Sequence, residues 1–180
     1  SDISVDSPTN NFATLNPLDS TNTTFSEGNL DVVVSSSSHG AVRGTLGAST
    51  GKWYWEVLVG SDARIMPAIS NSDSDTVTNW TGSKSGSWAY HNDAFKYNNS
   101  SGSSYGATYT TGDIISVALD LDAGTVAFYK NGVSQGTAYS SLPTDTYFPL
   151  FGHKYGQGVA NFGQDSSFAG NKTAQGNQDG

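Results

Sequence analysis

The sequence predicts an all-β protein, a two-sheet antiparallel β-sandwich, and three observations carry that prediction. Apolar residues recur at period 2 in short runs separated by Gly, Ser, Asn and Asp. No stretch long enough for a helix shows helical periodicity with capping signals. The chain is 12% aromatic with 21 glycines and only 13% charged residues, a composition that buries large side chains between turns and does not suit disorder. At 180 residues it has the length of one domain with an appendage.

Taken in order, residues 1–29 are polar, carry Pro8 and Pro17, and hold no sustained period, so they predict an extended arm whose Phe12, Leu15, Leu18 and Phe25 dock on a neighbouring core. The sandwich is expected over 30–164. Leu30 to Val34 opens it, and Lys52 to Val59 offers Trp53, Trp55, Val57 and Val59 to one face. Arg64 to Ser70 and Ser87 to Tyr97 are weaker strands. Asp113 to Leu121 puts Ile115, Val117, Leu119 and Leu121 on one side, and Asp122-Ala-Gly124 turns the chain into Thr125 to Lys130. Asn131-Gly132 is a hairpin signal, because both positions tolerate positive φ. Tyr147 to Phe151 and Gly158 to Phe162 close the series, and 165–180 reads as a polar C-terminal linker.

Charge and composition exclude several functions. Eight basic against sixteen acidic residues give a net charge of −8, which repels a phosphate backbone, so no nucleic-acid partner is expected. No apolar run approaches the roughly 20 residues of a membrane-spanning helix, and membrane insertion is not expected. With no cysteine there is neither a disulfide framework nor a thiolate metal site. The start at Ser1, without Met, leads us to expect an excised or processed piece of a longer protein.

The chemistry-bearing motifs are weak. Gly47-Ala-Ser-Thr-Gly51-Lys52-Trp53 has three residues between its glycines where a phosphate loop needs four, and Trp follows the Lys, so it reads as a turn. A glycosidase needs paired carboxylates. Glu56 has no acidic partner at alternate strand positions, and Asp120 and Asp122 share a face at the mouth of a tight turn, where Asp bonds the backbone. Asp73 and Asp75 offer oxygen ligands suited to calcium without the Gly and distal Glu of an EF-hand, which leaves a solvated loop and a calcium site both open. His39, His91 and His153 have no metal-binding spacing, and no GxSxG marks a nucleophile. No cofactor, metal or catalytic residue is expected. Trp80, Trp88, Tyr90, Tyr105, Tyr109 and Tyr155 lie in or beside Gly/Ser/Asn-rich segments; each alone suits packing, and together they favour binding over catalysis.

Five strings in order carry a family resemblance: Gly51-Lys-Trp-Tyr-Trp-Glu-Val57, Gly112 to Asp120, Gly124-Thr-Val-Ala-Phe-Tyr-Lys-Asn-Gly132, Phe148-Pro-Leu-Phe151 and Val159-Ala-Asn-Phe-Gly163. Over about residues 40 to 163 the chain resembles a SPRY (B30.2/SPRY-like) domain. The resemblance implies a concanavalin-like, jelly-roll sandwich that is not an enzyme and recognises a partner through loops at one edge. It makes Arg43 structural and directs attention to three loops, with Ser36, Ser38 and His39 in the first, Asn79 and Trp80 in the second, and His153, Tyr155 and Gly156 in the third. The Arg and Pro of peptide-binding members are replaced in the first loop by serines, so their peptide specificity does not transfer. Trp53, Trp55, Phe128 and Phe162 read as scaffold.

Asp6 to Pro17 and Asn161 to Gly170 resemble segments flanking SPRY-like modules in phage and marine viral structural proteins. The expectation is a virion or extracellular recognition module, part of a phage virion or tail-fibre adhesin, binding a host-surface glycan or protein. The alternatives are a structural module contacting other virion subunits, and an accessory domain of a polysaccharide-active enzyme.

Overall fold

The computed structural model describes residues 11–34, 38–61, 64–72, 79–168, 170 and 172–173. Their strands are β1 (Leu15–Thr21), β2 (Thr24–Ser26), β3 (Asp31–Val34), β4 (Gly40–Gly44), β5 (Lys52–Ser61), β6 (Ile65–Asn71) and β7 (Ser87–Tyr90). The second half adds β8 (Phe95–Asn98), β9 (Ser101–Ser104), β10 (Ile114–Asp120), β11 (Thr125–Lys130), β12 (Val133–Tyr139), β13 (Tyr147–His153) and β14 (Gly156–Asn161). One seven-stranded sheet runs β1-β4-β13-β6-β7-β8-β9 and the other β12-β11-β10-β5-β14-β3-β2. Every pairing is antiparallel, so the expected all-β, two-sheet sandwich is the observed architecture.

Period-2 patterning builds the core between the sheets. Trp55, Val57 and Val59 of β5, Ile115, Val117 and Leu119 of β10, and Val126 and Phe128 of β11 face Val42, Ile69, Trp88, Tyr90, Tyr147 and Phe151 of the other sheet. Trp88, Tyr90 and Tyr109 are therefore core residues, and Tyr105 packs against the same cluster; the expectation of a loop-aromatic surplus is corrected for these four. Their hydroxyls still find partners. Tyr109 Oη lies 2.7 and 2.8 Å from the carbonyls of Ile65 and Tyr90, and burial, then Tyr105, pushes the Tyr90 hydroxyl up to about 12.

The central strands of the first sheet do not alternate, because they are covered on both sides. Ala41, Ala68, Ala89 and Leu150 form a second, outer cluster, and β6 is buried from Ile65 to Ser70. The cover is the connection before β7, whose Thr81 is fully buried against Gly152.

Three segments differ from the sequence reading. The arm supplies β1 and β2, one edge strand to each sheet, with Leu15 in the core and Phe25 packed against it, whereas Leu18, expected to dock as well, is 97% exposed on the edge strand. Ser87 to Tyr97 is two strands, because the chain reverses at Ala94, where φ is 68°. Within the segment read as linker, Phe168 is buried on Leu58 and Val159 of the second sheet's outer face. Asn131 and Gly132 turn β11 into β12 with φ of 49° and 78°, positive values that Asn tolerates and that Gly, lacking a Cβ, adopts freely.

Candidate functional site

One strand brings the predicted loops together. β13 lies between β4 and β6, so His153 sits opposite both Gly40 and Ile65. β14 leaves the following turn with Gly156 opposite Val34 and Gln157 opposite Ser61. The strand ends that the β3–β4, β5–β6 and β13–β14 connections join, with the described residues 38–39, 64 and 154–155, thus lie at one end of the sandwich. The Lys154 N–H donates to the Arg64 carbonyl at 3.2 Å, tying two of them.

His39 stands in this cluster. Asn22 donates its amide to the His39 carbonyl at 3.0 Å. Burial, then the nearby charges of Lys154 and Arg64, lowers the imidazole pKa, so the ring is held neutral. Its Nδ1 is buried without a hydrogen-bond partner among the described residues. Ser38 beside it is exposed. Tyr155 has φ of 46°, a left-handed conformation unusual for an aromatic residue, and the residue is 43% exposed. Gly156 follows with φ of 146°. Ser36, Asp73 and Asp75 lie outside the described residues, and His153 is placed by its strand pairing only.

The second loop approaches over the outer face of the first sheet. Asn79 and Trp80 are half-buried there. The Trp80 ring meets His91 and Tyr97 edge to face, with centroids 5.6 and 5.4 Å apart. His91 Nε2 lies 2.8 Å from the Thr81 carbonyl, and burial lowers this pKa too, with His39 close enough to add to the effect. Trp80 therefore anchors the loop as well as edging the candidate surface.

Two residues at this end were missed by the sequence reading. Among the described residues Arg43, Lys52 and Lys130 pair with Asp19, Asp120 and Asp113, while Arg64 and Lys154 have no carboxylate partner. A single cation beside each of two strand ends was the available signal, but only the pairing of β13 shows that they meet. Arg43 also stacks over Phe148 at 5.5 Å, a structural position.

The far end of the sandwich is different. A cleft of about 400 Å³ is lined by Phe12, Leu46, Trp53, Pro149 and Phe162. Trp53, expected as scaffold, is 52% exposed, because β5 begins beyond the edge of the core; this corrects the expectation. The carboxylates that a glycosidase would need serve turns here. Asp120 accepts from the Ala123 N–H at 2.9 Å and pairs with Lys52 at 3.0 Å, and Asp122 accepts from the Gly51 N–H at 2.8 Å. Glu56 accepts from Tyr54 and Asn161. Among the described residues no group of His, Asp and Glu is arranged to hold a metal.

Two seven-stranded antiparallel sheets with inter-sheet loops gathered at one end define a class of β-sandwich interaction domains. Within it, the SPRY domain pattern matches residues 52–165, more than half of the chain, and the chain belongs to the SPRY family. It is 34% identical over 131 residues to human Ran-binding protein 9, spanning 69% of this chain and 18% of that protein. It is 34% identical over 123 residues to the Ran-binding proteins 9/10 homolog of Drosophila melanogaster, spanning 66% of this chain and 13% of that one. The chain thus spans less than a quarter of the length of these relatives. The SPRY domain of human HERC1 superposes with a TM-score of 0.73 at 19% identity, covering 84% of this chain and 99% of that one.

Proposed function

We propose that this chain is a non-catalytic recognition module that binds a protein partner through the end built from Ser38, His39, Arg64, Asn79, Trp80 and His153 to Gly156, and that the partner presents an acidic segment there. The carrying observation is that Arg64 and Lys154 converge beside His39 and, among the described residues, pair with no carboxylate, in a protein of net charge −8. Over a screening length of about 8 Å at physiological salt, a partner at this end feels the charges there more than those at the far end of the sandwich. Tyr155 supports the same reading. A backbone cost of about 1 kcal/mol is accepted at a position that presents a phenol ring to solvent. In the relatives the names speak of Ran binding; a Ran-like partner is one candidate for this chain.

The flanking phrases Asp6 to Pro17 and Asn161 to Gly170 support a second reading of the setting, a virion or extracellular protein whose loop end meets a host-surface glycan or protein. The two readings separate by salt and by ligand. An acidic peptide should lose affinity as salt rises and in Arg64→Ala/Lys154→Ala, whereas binding on a glycan array that ignores both changes favours the glycan.

A further inference from the structure

The two sheets carry part of their strands in matching order. β1, β4, β13 and β6 follow one another in the first sheet, and β2, β3, β14 and β5 follow one another in the second. The pairs β1/β2, β4/β3, β13/β14 and β6/β5 are each consecutive in the chain, so four connections cross between the sheets, one beside the next. Three of them belong to the loop end already described. The fourth is the two-residue link Asn22-Thr23, which the N-terminal arm contributes.

The registers place this link at the same end. On the first sheet Thr21 pairs with Ala41, one residue inside Gly40, which faces His153. On the second, Thr24 pairs with Val33, next to Val34, which faces Gly156. With neighbouring strands about 4.8 Å apart, the three intervals from β6 to β1 carry the row about 14 Å, from Arg64 to Asn22.

Asn22 is built into the row by its backbone and by its amide. Its φ is 55°, a left-handed conformation that Asn tolerates better than most residues, and the residue is exposed. Its Nδ2 donates to the His39 carbonyl at 3.0 Å, tying the arm to the β3–β4 connection as the Lys154 N–H ties the β13–β14 connection to Arg64. The amide oxygen, Oδ1, is the atom left to accept from a ligand. Thr23 Oγ1 donates to the Thr21 carbonyl at 2.9 Å and closes the link. Charge is graded along the row. Arg64 and Lys154 stand towards one side, whereas Thr21 to Thr24 carry no charge, and Asp19, the carboxylate of β1, is paired with Arg43 at 3.1 Å.

We propose that Asn22 is a specificity-determining contact of the recognition end, and that the partner's acidic segment continues past Lys154 and His39 as an extended, uncharged stretch whose backbone N–H donates to Asn22 Oδ1. This rests on the reading of the loop end as the binding surface. Two acidic residues followed by four more in extended form, about 20 Å, are long enough to cover the row.

The test is the amide NMR spectrum of the full chain, titrated to millimolar concentration with three capped peptides. One is Glu-Glu; the others are Glu-Glu-Ser-Ser-Ser-Ser and Ser-Ser-Ser-Ser-Glu-Glu, which cover both chain directions. All three should shift Arg64 and Lys154. One hexapeptide should also shift Asn22 and Thr23 and bind roughly threefold to tenfold more tightly than Glu-Glu. Asn22→Gly, which keeps the positive φ and removes the amide, should abolish that gain. A response at Arg64 and Lys154 without one at Asn22 and Thr23, or a gain that survives in Asn22→Gly, overturns the proposal and leaves the loop-end reading standing. No response at Arg64 and Lys154 to any of the three peptides overturns both.

Discussion

At Gly152 the lack of a side chain fixes the loop that carries Trp80. A Cβ there would sit 1.3 Å from Thr81 Oγ1, inside the bonding radius, so Thr81 can lie fully buried on β13 only over glycine. Gly152→Ala should cost about 1–3 kcal/mol by overpacking and expose Trp80, read by urea denaturation and tryptophan fluorescence. Tyr155 predicts the opposite pattern. Tyr155→Gly relieves the left-handed strain but loosens the unfolded chain by a similar amount, so stability should stay within about 1 kcal/mol while partner affinity falls. His91 supplies a pH signature. Burial lowers its folded pKa, so once the pH drops below the unfolded value of about 6.5 the unfolded chain takes up a proton that the native ring resists. Stability should therefore fall as pH is lowered from 7.5 to 5.5, and His39 contributes in the same direction. In His91→Gln the slope of Tm against pH should be shallower; an unchanged slope would contradict the assignment.

The strands show which sequence signals were legible. In β5 the alternation of Trp53, Trp55, Val57 and Val59 gave the correct face, but nothing in it says where the opposing sheet ends. Trp55 is 5% exposed and Trp53 52%. Trp55→Ala should cost about 3–5 kcal/mol and Trp53→Ala much less, compared by the same denaturation curves. β6 looked weak because both of its faces are covered, which erases the period that a one-sided strand displays. Ser87 to Tyr97 looked continuous because Ala94, which takes the positive φ, is not a turn former. β1 and β2 were hidden for another reason. An edge strand with one core residue, Leu15, has too few buried positions to set up a pattern.

Across the whole molecule, the five SPRY strings fixed the fold but left the composition of the loop end open. Arg64 and Lys154 are distant in sequence and become neighbours because β13 pairs with β4 on one side and β6 on the other. No local motif encodes that adjacency. The same pairing separates this end from the Trp53 cleft by about 26 Å, the eight-residue rise along β5 from Trp53 to Ser61, so ligand contacts at the two ends are distinguishable. The central claim is best tested by selecting binders for the folded domain from an unbiased peptide array and mapping the strongest by amide NMR shifts. The account predicts an acidic peptide, shifts concentrated at residues 38–39, 64, 79–81 and 153–156, and loss of binding in Arg64→Ala/Lys154→Ala. A neutral or basic peptide with shifts centred on Trp53, and with affinity unchanged in that double variant, would contradict it.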